Sequence, residues 1–97
     1  MKLPVLKLLF QAYLTVDWPE DYADVRAAIN DFVANEPAAV GIDAELAELL
    51  DSTADDEVLR RRVVEELGSG YLPDVEGLSM REWLETVRRW VGPPLTQ

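Results

Sequence analysis

The chain contains no cysteine and no histidine among its 97 residues. The first absence removes disulfides, thiol nucleophiles and thiolate metal sites; the second removes imidazole ligands and every histidine-based acid–base mechanism. Positive charge is also scarce, with nine lysines and arginines against nineteen acidic residues and a formal charge of −10. A protein so balanced does not gain affinity by neutralising nucleic-acid phosphates, so no direct nucleic-acid partner is expected. No run approaches the roughly 20 apolar residues that span a bilayer, and acidic surfaces are repelled by anionic lipid, so no membrane partner is expected either. The opening Met1 to Leu14 has two lysines and an apolar stretch that imitates a signal peptide. Lys7 and Gln11 interrupt it, acidic residues follow from Asp17, and a small-residue cleavage site is missing, so a cytoplasmic protein is expected. Strand-like alternation of useful length is absent as well.

What is present is a globular composition, 48% hydrophobic and 29% charged, of the size of one domain over residues 1–97. Helical periodicity fills the stretches between prolines and glycines. A first helix is predicted from Pro4 to Leu14, with Leu6, Leu9, Phe10 and Tyr13 on one face and Leu3, Val5 and Leu8 widening it, which places it centrally. A second is predicted from a cap at Asp17 to about Asn35, burying Tyr22, Val25, Ile29, Phe32 and Val33. On it Glu20, Asp21 and Asp24 share a face. Pro37 opens a third helix with a stripe of Ile42, Leu46, Leu49 and Leu50. A fourth follows Thr53, whose hydroxyl is placed to cap the amide of Asp56, and ends at Gly68 with Val58, Leu59, Val63 and Leu67 inward. Arg60, Arg61 and Arg62 read as a solvated face.

The loop from Ser69 to Leu78 carries Tyr71, Leu72 and Val75 and is expected to pack down. Ser79 with Glu82 forms a capping box for a fifth helix with Met80, Trp83, Leu84, Val87, Trp90 and Val91 as its stripe, stopped by Gly92, Pro93 and Pro94. The expected architecture is an all-α single-domain bundle of four to five short helices.

Charge is unevenly distributed. Residues 13–57 hold thirteen acidic side chains and one basic one, Arg26, whereas residues 58–97 balance six against six. Solubility explains such a surface; so does the steering of a positively charged protein, because complementary potentials raise association rates. Composition alone does not choose. Asp51 to Arg62 fails as a calcium loop for want of the central glycine and final glutamate, and paired-carboxylate catalysis needs a cleft that small bundles seldom offer. No metal, cofactor or catalytic residue is assigned. Trp83 and Trp90 lie on the last apolar stripe and read as core. Trp18, in a loop between acidic residues, either closes the bundle or presents an anchor of the kind enriched at interfaces.

The order of Phe10, Gln11, Ala12 and Tyr13, then Asp17 and Trp18, then Tyr22 resembles the amino-terminal signature of contact-dependent growth inhibition immunity proteins. Later segments continue the likeness: the acidic, leucine-rich stretch Ile42 to Asp51, the pair Leu67 and Gly68, then Tyr71, Pro73 and Gly77, and the closing Glu82, Trp83 and Leu84. It spans about residues 8–91, departing at Thr15 and Val16. The resemblance implies an all-helical, non-catalytic protein that binds the carboxy-terminal domain of a cognate toxin, frequently a nuclease, and neutralises it in the cytoplasm. A nuclease presents a basic surface to its substrate, so the expected toxin contacts are Asp17, Trp18, Glu20, Asp21, Asp24 and Asp31, with Glu45 and Glu48 of the third helix as second choice. Two other classes stay open from the residues: a small acidic regulatory adaptor for another basic protein, and a carboxylate enzyme or ion-binding module. The oligomeric state is left open.

Overall fold

A computed structural model describes residues 3–91, apart from the side chains of residues 74 and 75. Helix α1 (Pro4–Leu8) begins with proline, which has no amide to leave unsatisfied at a helix start. It runs on through a wide π-helical turn at Leu9–Tyr13, closed by the Leu14 amide donating to the Leu9 carbonyl at 3.0 Å. Leu3, Leu6, Leu9, Phe10 and Leu14 are all buried, and the segment touches both α3 (Val25–Asn35) and α4 (Ile42–Asp51), as its apolar girth predicts.

The expected second helix is two pieces. A single turn, α2 (Trp18–Asp21), stops at Tyr22, whose backbone is extended, and α3 starts afresh with Asp24 as its cap. The Asp24 carboxylate accepts the Ala27 amide at 2.8 Å, satisfying a donor that would be orphaned at the new helix end. Glu20, Asp21 and Asp24 therefore do not share one helical face. On α3, Val25, Ile29 and Phe32 are buried as expected and Ala28 joins them, whereas Tyr22 is half-buried ahead of the helix and Val33 is 43% exposed. The helix packs its inward face on one side only, and Val33 lies one position round from Phe32, past the edge of that stripe.

Pro37 does open the third helical stretch, as a 3-10 turn over Pro37–Gly41 that leads into α4. The next helix, α5 (Asp56–Arg61), is capped by Asp55 and not by Thr53: the Asp55 carboxylate accepts the Glu57 amide at 2.9 Å, while the Thr53 hydroxyl accepts the Asp55 amide at 3.1 Å. A second π-helical turn, Arg62–Glu66, extends it to Gly68, which takes the left-handed conformation expected of a helix terminus, with φ +82°. Leu59, Val63 and Leu67 are buried and Val58 half-buried. Of the arginine run, Arg62 is drawn inward to donate to the Ser52 hydroxyl at 2.5 Å.

The following loop packs down through buried Ser69 and Tyr71 and a 3-10 turn at Pro73–Glu76; the packing expected of Val75 lies outside the described side chains. Helix α6 (Met80–Val91) realises its capping box in both directions, Ser79 amide to Glu82 carboxylate at 2.9 Å and Glu82 amide to Ser79 hydroxyl at 3.1 Å. The proposed stop at Gly92 to Pro94 lies outside the described residues. Buried Met80, Trp83, Leu84 and Val87 set α6 against α3, α4 and α5. Trp83 is the largest core side chain, its ring 6.0 Å from Phe10 and 5.0 Å from Tyr71. Burying such aromatics contributes several kcal/mol each, on the order of 3–5 by truncation. Among the described residues there is no strand, so the expected all-α bundle is what forms.

Candidate protein-binding surface

The loop that carries Asp17 is held from behind. Leu14 accepts the Gly70 amide at 2.7 Å, and a Cβ on Gly70 would lie 2.3 Å from the Thr15 carbonyl carbon and the Val16 nitrogen, so only glycine permits this approach. Thr15 then turns the chain, its hydroxyl accepting the Asp17 amide at 3.2 Å and its carbonyl the Trp18 amide at 3.1 Å. Trp18 is half-buried with its ring edge-on to Tyr71 at 5.8 Å. It joins Tyr71, Trp83 and Phe10 in a continuous aromatic row, so its buried part packs on the core.

With the backbone fixed in this way, Asp17, Glu20 and Asp21 stand exposed, and their carboxylates make no hydrogen bond or ion pair among the described residues. Asp24 is also exposed but spends one oxygen on its cap. Asp31, half-buried, accepts the Tyr22 hydroxyl at 2.5 Å and the Asn35 amide at 2.5 Å, tying the α2–α3 joint to the middle of α3. That carboxylate, by accepting the phenol's proton in a hydrogen bond and by its charge, pushes the Tyr22 hydroxyl up to about 12.

The two residues expected on the third helix part company. Glu48 is exposed on α4. Glu45 turns inward and accepts the Val5 and Leu6 amides at 3.1 and 3.0 Å, serving as the side-chain cap that α1 lacks at Leu3. Asp56 does the same across the chain for α6, accepting the Met80 and Arg81 amides at 3.2 and 2.8 Å. Sequence spacing carries no sign of either bond, because donor and acceptor lie some 24 to 40 residues apart. Asp43 pairs with Arg88 at 2.9 Å, an interaction that raises the arginine further above its ordinary value and, between two exposed groups, contributes at most about 1 kcal/mol. Among the described residues no group of three or more acidic side chains is placed to hold a metal ion, and no helix is long and apolar enough to cross a membrane.

Residues 2–91 match the family of CdiI immunity proteins. The chain belongs to that family. Its fold is that of one chain in the crystal structure of the CdiA-CT/CdiI complex from Y. kristensenii, with a TM-score of 0.84 and 23% identity over 92% of this chain and 97% of that one. No curated protein matches it. The matched range takes in the aromatic row, the pinned loop and the helix caps of this chain.

Proposed function

We propose that this protein neutralises a cognate toxin domain of basic, nuclease character by binding it through the exposed carboxylates of the α2 region, and that it does so in the cytoplasm without a reaction of its own. Membership of the CdiI immunity family over residues 2–91 carries the reading. Three physical features support it. The acidic excess is concentrated in residues 13–57; the Asp17, Glu20 and Asp21 carboxylates are unspent on bonds among the described residues; and Gly70 and Trp18 hold their backbone in place, so little ordering entropy opposes binding. Complementary charge raises the association rate and excludes partners of the wrong sign. Asp24 and Asp31 border this contact, and Glu48 extends it on α4. Glu45 is assigned to holding α1.

A cognate toxin is expected in the reading frame directly upstream, and the test is co-expression with that toxin domain, followed by co-purification and a nuclease assay with and without the immunity protein. Glu20→Lys with Asp21→Lys should slow association about tenfold or more at low salt and flatten its salt dependence, leaving the helical content unchanged. This pair is preferable to one that includes Asp24, whose loss would also remove the α3 cap. Association rates equal to wild type at low salt would exclude the α2 surface.

A further inference from the structure

Among the described residues a concavity lies where the end of α3, the 3-10 turn and the start of α4 meet the last turn of α6. It is a groove of about 730 Å³ whose walls include Val33, Ala34, Pro37, Val40, Ala44 and Val91. Val40 is 93% exposed and Val33 43%, although buried Ala39 and Ile42 on either side of Val40 anchor the turn that displays it. A β-branched residue held almost wholly in water on an anchored turn, beside further exposed apolar residues lining the same groove, is a contiguous patch of the kind that marks a contact surface. Ala39 and Ile42 complete the apolar lining, the polar part is Asn35, Glu36 and Asp43, and among the described residues no basic side chain lines it.

We propose that this groove is the apolar half of the toxin contact, receiving an aromatic or long aliphatic side chain that projects from the toxin's basic surface. The inference rests on the toxin-binding reading above and adds a second site to it. The charge of the chain argues for this occupant over a second copy, since pairing two molecules of charge −10 would bring like charge together with Glu36 at the contact, Asp43 being paired with Arg88. A cationic partner meets the Glu36 carboxylate and the polar Asn35 beside an apolar floor, the arrangement in which a desolvated anchor is surrounded by polar contacts that exclude water. The two sites then divide the work. The α2 carboxylates govern capture, and the groove governs release.

The experiment measures association and dissociation rates of the upstream-encoded toxin domain with wild type, Val40→Asp, Val40→Ser and the Glu20→Lys/Asp21→Lys pair, with sedimentation of each variant alone. Val40 is so exposed that neither substitution disturbs the core, which circular dichroism verifies. Val40→Asp should speed dissociation about tenfold or more and Val40→Ser by a smaller factor, both with association within about twofold of wild type. Dissociation within about twofold of wild type for both Val40 variants, while wild type binds, overturns the groove and leaves the toxin-binding reading standing. A wild type that does not bind the toxin domain at all overturns both. Dimerisation of the wild type that Val40→Asp abolishes assigns the groove to a second copy and overturns the proposal.

Discussion

Helix α6 and the acidic stretch from residue 13 to residue 57 are built on different rules. In α6 the capping box and the buried stripe are local signals, and the Asp56 cap is an addition from far along the chain. Ser79 and Glu82 cap each other three residues apart, and Met80, Trp83, Leu84 and Val87 fall on one buried stripe. In the acidic stretch the same residue type does unrelated jobs. Asp24 and Asp55 cap their own helices, Glu45 and Asp56 cap helices far along the chain, Asp31 holds Tyr22, and the carboxylates of Asp17, Glu20 and Asp21 bond to nothing among the described residues. A carboxylate's role is therefore set by which backbone amides the fold brings to it, whereas a buried stripe is set by spacing along one helix.

The contrast can be broken most forcefully at Trp83. Replacing it by alanine should cost about 3–5 kcal/mol, since the ring is buried among Phe10 and Tyr71 and its loss opens a cavity between α6, the π-helical turn after α1 and the Tyr71 loop. Urea unfolding would measure it, and a cost below about 1 kcal/mol would mean that α6 is not the centre of the core. The acidic stretch offers a finer division. Glu45→Ala should destabilise by about 1–2 kcal/mol by stripping two amides of α1 of their acceptor, while Glu48→Ala, three residues on, should stay within about 0.5 kcal/mol of wild type. Equal effects at the two positions would show that the α1 cap contributes nothing.

The smallest expected effect is a pH dependence. The Tyr22 hydroxyl is held above its unfolded value of 10.0, at about 12, so the folded state keeps its proton longer. The stabilisation is complete below pH 10 and is lost as pH rises from about 10 through about 12, because the unfolded chain then gains by ionising first. Thermal unfolding of Tyr22→Phe against wild type should show a gap at pH 9 that closes across that window. A gap that stays constant would mean that the Asp31 bond does not distinguish the two protonation states.

How far the fold is legible in the sequence follows the same line. The Ser79 box, the Gly68 terminus and the inward residues of α4, α5 and α6 are readable because each depends on neighbours within four or five positions. The break at Tyr22 is not. Pro19, Glu20 and Asp21 all favour a helix start near Asp17, and nothing local announces that Asp24 will start a second one. Val33 is misread for a related reason: periodicity defines a stripe but not its width, which depends on how many elements pack against α3. Of the candidate site, Asp17, Glu20, Asp21 and Glu48 are exposed as their pattern suggests, while the inward turn of Glu45 needs the approach of α1.

Composition and order alone fixed the fold class, the single domain, the absence of cysteine and histidine chemistry and the lopsided charge, since none of these depends on where a side chain finally points. Tertiary structure decided which carboxylates are spent inside and which face outward. It also decided that Gly70 pins the Asp17 loop and that Val33 and Val40 line one groove. Each of these is a meeting of groups distant in the chain, and the free energy of such contacts comes from burial and hydrogen bonds that exist only once the helices have packed.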